Sequence, residues 1–182
     1  MQPGSREEMR QIRMSSNWVN MAIALGVCLV AVLVAFAFVP EPANELEREV
    51  DYVGMAESAQ TSSDFPLAVP ELPEGWVSNE VNFEPMGTPA VDTWYVSWVG
   101  PEREWMSLRQ SRGNENWVRS MVTDELAEIG TRDVSGQTFT AYENSRGEQA
   151  LVGPVGDTTV VLKGTAAWET YDHFAAEIIA GA

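Results

Sequence analysis

Twenty-two residues, Trp18 to Val39, run without a single charge, and Asn20 is their only strongly polar side chain. No other stretch constrains the chain as much. As an α-helix it would extend about 33 Å, against roughly 30 Å for the hydrocarbon layer of a bilayer. A helix satisfies its own backbone hydrogen bonds, so such a segment can lie in lipid without unpaired N–H or C=O groups. We therefore expect a membrane span over residues 18–39 that contacts the lipid bilayer. It divides the chain into a cytoplasmic tail (1–16), the transmembrane helix (17–39), a juxtamembrane stalk or first elements of the outer domain (40–63), and an extracytoplasmic α+β domain (64–182).

Charge gives the span a direction. Arg6, Arg10 and Arg13 precede it, whereas Glu41, Glu45, Glu47, Glu49 and Asp51 follow it with only Arg48 opposing them. The positive-inside rule places the N-terminus in the cytoplasm and the domain outside the cell membrane, as a single-pass protein. The chain as a whole has 27 Asp and Glu against 11 Lys and Arg, a net charge of -16. An acidic outer domain repels phosphate backbones and anionic headgroups, so nucleic acid is not an expected partner.

Two competing uses of the apolar run can be weighed. A lipid-modified cysteine would need a small residue before Cys28, but Val27 stands there. Ala35, Phe36 and Ala37 fit a small-x-small cleavage pattern, but the run exceeds the apolar core of about 7–15 residues in a secretory signal. An uncleaved anchor is the reading we carry forward. Cys28 is the only cysteine, so the outer domain has no disulfide and must be stabilised by packing.

Past Pro40 and Pro42, two readings stay open. Either Glu41 to Gln60 forms a juxtamembrane helix with Glu45 and Arg48 paired, or Val50 to Tyr52 is a first strand followed by a helix through Met55 to Gln60. Pro66, Pro70 and Pro73 then keep the next segment extended, because each fixes φ and lacks an amide donor. This connector should dock Phe65, Leu67, Val69 and Leu72 on the core.

The rest reads mainly as strands. Residues 76–83 alternate, 84–92 read as a loop, and Trp94, Val96 and Trp98 fall on one face of a strand at 93–99. Trp105 to Gln110 returns as its hairpin partner. Asn114 or Asn116 can cap a helix to about Ile129, stopped by Gly130. Strands near 131–134, 137–144, 148–155 and 158–163 follow, then a helix over 167–180 with Trp168, Tyr171, Ala175, Ile178 and Ile179 on one stripe. Short turns favour antiparallel neighbours. The expected fold is α+β, a mainly antiparallel sheet with two or three packing helices.

Chemistry is hard to find. His173, the only histidine, projects away from the apolar stripe of the last helix, and Asp172 points about 100° from it. One histidine and no outer cysteine cannot assemble a histidine- or thiolate-based zinc site. Asp124, Glu125 and Glu128 read as a solvated helix face. No phosphate loop, nucleophile elbow or dinucleotide fingerprint occurs. We expect no catalytic, cofactor-binding or metal-binding residues and no cofactor, and hence not an enzyme. A carboxylate-based, cofactor-independent hydrolase is the alternative, and a structural subunit of a membrane complex is a third reading.

Six tryptophans lie outside the span: Trp76, Trp94, Trp98, Trp105, Trp117 and Trp168. Alternation assigns Trp94 and Trp98 to a core. Trp105 shares its face with Ser107 and Arg109, which makes Trp105 and Arg109 the candidate contacts for an envelope protein or an apolar ligand.

Several stretches stand out together: Val50 to Tyr52, Phe65-Pro66 through Pro70 to Gly75-Trp76, Trp94 to Gly100-Pro101, Leu108 to Ser111, Val134-Ser135-Gly136, Arg146 to Val152 and Val160 to Thr165. With them the chain resembles an actinobacterial membrane-protein family of unknown function, DUF4245. Phe139 departs from it, standing where similar sequences carry tryptophan. The resemblance implies a basic tail, one span and one outer domain, and it carries no catalytic signature. The order of elements is also similar to the Mog1/PsbP-like α/β/α sandwich, a likeness of fold that licenses no function.

Overall fold

The computed structural model describes residue 18, residues 20–32, residue 34, residues 49–123 and residues 125–182. Two compact units, Met1–Ala43 and Asn44–Ala182, divide the chain. In the first, residues 20–32 are helical (α1), as are Trp18 and Val34. Met21, Ile23, Leu25, Val27, Leu29, Val30 and Val32 are all exposed, so α1 presents apolar side chains around its circumference. Among the described residues no helix is long and apolar enough to cross a membrane. The predicted span continues past Val34 into positions outside the described residues. The tail at 1–16, the cleavage pattern at 35–37 and the Glu45–Arg48 pair lie outside them too.

The second unit is built on one antiparallel sheet. Its strands are β1 (Val77–Met86), β2 (Val91–Val99), β3 (Trp105–Ser111), β4 (Ala127–Val134), β5 (Gln137–Glu143), β6 (Gln149–Val155) and β7 (Thr158–Gly164). They lie in the order β1-β2-β3-β7-β6-β5-β4. Two meanders, β1-β2-β3 and β4-β5-β6-β7, are joined by the helix α3 (Glu115–Val122), and β7 comes home beside β3. Every pairing is antiparallel, as the short turns require.

One sheet face carries the main core. Trp94, Val96 and Trp98 alternate onto it from β2, with Met106 and Leu108 from β3 and Val160 and Leu162 from β7; each is fully buried. Across it lie α2 (Tyr52–Gln60) and α4 (Trp168–Ala180). The α4 stripe includes Tyr171, Phe174, Ala175 and Ile178. Trp98 sits at the centre, with Phe174 tilted against it at 4.9 Å and Tyr52 edge-on at 6.0 Å between ring centroids. Such pairs add about 0.5–1.5 kcal/mol beyond area burial.

The proline-rich connector is tied down by one buried amide. Gln110 Oε1 accepts from Ala68 N at 2.8 Å, while its Nε2 donates to Pro66 O at 3.0 Å and Thr158 Oγ1 at 3.2 Å. Trp94 Nε1 donates to Ala68 O at 2.9 Å. This fastening turns Ala68 inward and leaves Val69 exposed, correcting the expectation that Val69 docks on the core.

Other boundaries also differ from the sequence reading. Of the two readings before residue 60, Val50 makes one strand-like bond, donating to Ser78 O, and Asp51 then caps α2 through Gly54 N. Tyr52, Ala56 and Ala59 pack against the core, so this helix belongs to the domain. Strand β1 runs on through Pro85 to Met86, and β2 begins at Val91, so most of the expected loop at 84–92 is a longer hairpin. Edge position explains this, since an edge strand tolerates the proline at 85.

The middle helix is the clearest correction. Asn114 caps it, its Oδ1 accepting from Asn116 N and Trp117 N, but it ends at Val122 rather than near Ile129. Thr123 has φ 68° and closes it, and Ala127 already begins β4. Gly130 sits at a β-bulge between Glu128 and Gly130, not at a helix stop, and Ile129 is exposed. Burying Trp117, Val122 and Leu126 against Ala150, Val152 and Val161 outweighs continued helix. Of the acidic trio expected on that helix, Glu125 instead pairs with Arg146, Glu128 lies on β4, and residue 124 is outside the described residues.

Candidate functional site

The second face of the sheet is covered unevenly. Helix α3 packs over Ala150, Val152 and Val161, with Val91 and Tyr142 at the margin. Beyond that cover, strand register sets out three rows. Val77, Val99 and Trp105 form the first; Glu80, Ser97, Ser107 and Lys163 the second; Asn82, Tyr95 and Arg109 the third. Trp105 and Arg109 therefore share a face, four residues apart on β3, about 13 Å along the strand. Both are half-buried, as are Val77, Tyr95 and Val99.

Trp105 lines a cleft of about 510 Å³ together with Val77, Asn79, Ser97, Val99 and Arg103. Volumes of this size are usual for small-ligand sites. Its floor comes from the outer rows of β1 and β2; its lip is the turn Gly100–Arg103, where Arg103 N donates to Gly100 O. Arg103 holds φ 66°, a left-handed conformation uncommon outside glycine. Asn79 is the extra residue of a β-bulge between Ser78 and Glu80, and its Oδ1 is buried without a hydrogen-bond partner. The backbone of Trp105 is set by β7: a Cβ on Gly164 would stand 2.1 Å from the Trp105 carbonyl oxygen, so glycine is required there.

Arg109 lies outside that cleft, further along the same face. Its guanidinium carbon stands 5.0 Å from the centroid of the Tyr95 ring, and Nη1 donates to Ser107 Oγ at 2.8 Å. Ser107 Oγ donates in turn to Lys163 O at 3.0 Å, and Tyr95 Oη donates to Glu80 Oε2 at 3.5 Å. Burial, first of all, pulls the Arg109 pKa below its ordinary value and pushes that of Tyr95 above it.

Ion pairing separates this face from the rest. Among the described residues, Arg112, Arg132, Arg146 and Lys163 each have a carboxylate within ion-pair distance. Arg103, Arg109 and Arg119 do not; Arg103 lines the cleft with Trp105, and Arg109 lies further along the same sheet face.

A second depression, about 620 Å³, lies between α3 and β5–β6 and is lined by Asn114, Val118, Arg119, Val122, Tyr142 and Val152. Each of the two depressions has one carboxylate among its described lining residues, Glu80 in the first and Glu115 in the second. Among the described residues no group of three or more His, Cys, Asp or Glu side chains is placed to hold a metal ion. His173 is exposed, with its ring edge-on to Phe174 at 6.1 Å. The carboxylate of Asp172 is engaged by Arg132 instead, at 3.0 and 2.5 Å.

The sequence reading named Trp105 and Arg109, and both stand on the open face. It missed Arg103, which looked like an ordinary turn residue, and Asn79, whose bulge is invisible before the strands are paired. The alternation that put Tyr95, Ser97 and Val99 opposite Trp94 was the available signal for the rest.

No curated protein and no solved structure matches this chain. The profile described as "Protein of unknown function (DUF4245)" matches residues 13–178. With nearly all of its length covered by that profile, the chain belongs to the DUF4245 family.

Proposed function

We propose that this protein is a single-pass, membrane-tethered module of the cell envelope, non-catalytic, with its domain outside and its N-terminus in the cytoplasm. Its working surface is the open sheet face around Trp105 and Arg109, which binds an envelope component. The observation that carries the reading is the uneven cover of the sheet. One face is sealed by α2, α4 and the connector, while the other leaves half-buried aromatics, a cleft, and two arginines with no carboxylate within ion-pair distance among the described residues. Such a combination suits recognition, because the residues that bind are already held by a rigid sheet. The tether is supported by the uncharged run from Trp18 to Val39 and by the apolar circumference of α1. Helices on both sheet faces support the α/β/α sandwich of the Mog1/PsbP-like kind.

Two measurements test this. Alkaline extraction of membranes should leave the full-length chain in the pellet, and protease added to intact cells should remove the C-terminal domain; release into the supernatant refutes the tether. Full-length protein in detergent, used as bait against envelope extract, should retain a component that Trp105→Ala loses. Equal retention by both forms refutes the surface.

A further inference from the structure

We propose that the open face recognises an acidic oligosaccharide, with Trp105 as stacking platform and Arg103 and Arg109 as the groups that read its carboxylates. The assignment rests on the reading of this face as the working surface.

Three observations narrow the ligand. The cleft walls are apolar where Val77, Val99 and Trp105 meet, which suits the C–H face of a pyranose ring laid on an indole. The same cleft carries Ser97, Asn79 and Glu80, so neighbouring hydroxyls find donors and acceptors together. Glu80 accepts from a sugar hydroxyl and repels a carboxylate, so it orients the ring beside it with hydroxyls toward Glu80 and carboxylates toward the arginines.

The arginines supply the acidic part of the specificity. Neither Arg103 nor Arg109 has a carboxylate within ion-pair distance among the described residues, although Asp and Glu far outnumber Lys and Arg in the chain. Arg109 is held in place by Ser107 and the Tyr95 ring, while Glu80 and Glu148 act on its charge only from beyond ion-pair distance. The net charge of -16 opposes an approaching anion at long range. That field is screened beyond about 8 Å at physiological ionic strength, so binding is decided at contact, where the arginines can meet the carboxylates of the ligand directly. Their spacing fixes the length. Trp105 and Arg109 lie about 13 Å apart along β3, too far for one sugar ring, so the ligand is an oligomer.

The test uses full-length protein in detergent and calorimetric titration with three probes: tetragalacturonate, maltotetraose and hexaglutamate. Tetragalacturonate should bind at least about tenfold more tightly than either of the others. Arg109→Gln and Arg103→Gln should each weaken tetragalacturonate about fivefold and leave maltotetraose unchanged, whereas Trp105→Ala should weaken both sugars about tenfold or more. Arg103 is exposed on a turn, so its variant should fold normally, and Trp105→Phe, which keeps a ring, should retain most of the affinity. Hexaglutamate binding as tightly as tetragalacturonate overturns the proposal, since the face would then read charge alone. So does the absence of saturable binding at millimolar sugar, or wild-type binding by folded Arg109→Gln. Should tetragalacturonate fail while Trp105→Ala still loses the envelope component, the sugar assignment falls and the working surface stands.

Discussion

The two faces of the seven-stranded sheet use similar residues for opposite ends. Trp98 and Trp105 occupy adjacent positions in the β2–β3 hairpin, Trp98 paired with Met106 and Trp105 with Val99. Trp98 is fully buried against Phe174 and Tyr52, whereas Trp105 is half-buried at the edge of a cleft. Polar groups divide in the same way. Gln110, on the sealed face, has both ends of its amide engaged, while Arg109, its neighbour on the open face, has no described carboxylate within ion-pair distance. On the sealed face each unpaired polar group costs about 1–3 kcal/mol, a cost that Gln110 avoids and that Trp98 Nε1, buried without a partner, incurs. An open face can leave a group waiting for a partner, since water serves in the meantime.

The sharpest way to break this contrast is to truncate both tryptophans. Trp98→Ala should lower unfolding free energy by about 3–5 kcal/mol, measured by denaturant titration, with Trp98→Phe costing much less. Next, Gln110→Leu should cost about 2–3 kcal/mol, because it strands Ala68 N–H and Pro66 C=O beneath the connector. Hydrogen exchange at Ala68 should rise with it.

Tyr171 offers a smaller effect with a pH signature. Its hydroxyl donates to Gln149 O at 2.8 Å, and burial, above all, pushes its pKa well above the ordinary tyrosine value. The folded state therefore holds this proton more tightly than the unfolded chain. That contribution is complete below the unfolded value of about 10 and is lost as pH rises past it. Tyr171→Phe should cost about 1 kcal/mol near neutrality and flatten the fall in stability between about pH 10 and 11. An unchanged alkaline slope would show that Tyr171 is not the group responsible.

The smallest expected change is the most telling. Trp105→Ala should cost no more than about 1 kcal/mol while removing binding. A loss equal to that of Trp98→Ala would place Trp105 in the core and dissolve the contrast.

Much of this fold was legible in the residues. Period-two alternation at 93–99 marked the sealed face, and turn residues at Ser135-Gly136, Arg146-Gly147 and Gly156-Asp157 marked the hairpins of β4 to β7. The capping asparagine before α3 was legible, but the helix end was not. The sequence from 123 to 129 has no strong local preference against helix; burial of Leu126 and the pairing of Ala127 with Glu143 end the helix and start β4 at Ala127. The candidate site was half visible for the same reason. Trp105 and Arg109 share a face by local geometry alone, whereas Asn79 and Arg103 join them through a bulge and a turn that exist only once β1, β2 and β3 are paired.

By itself, then, the sequence determined what short-range rules control: the uncharged run from Trp18 to Val39, the strand periods, the caps and the absence of a disulfide in the domain. Tertiary structure alone decided which face of the sheet is sealed, where α3 stops, and which arginines are left without a carboxylate. Those outcomes depend on contacts between residues far apart in the chain. Lys163 meets Glu148 and Arg132 meets Asp172, but no described carboxylate comes within ion-pair distance of Arg109, and nothing local to any of these residues foretells it.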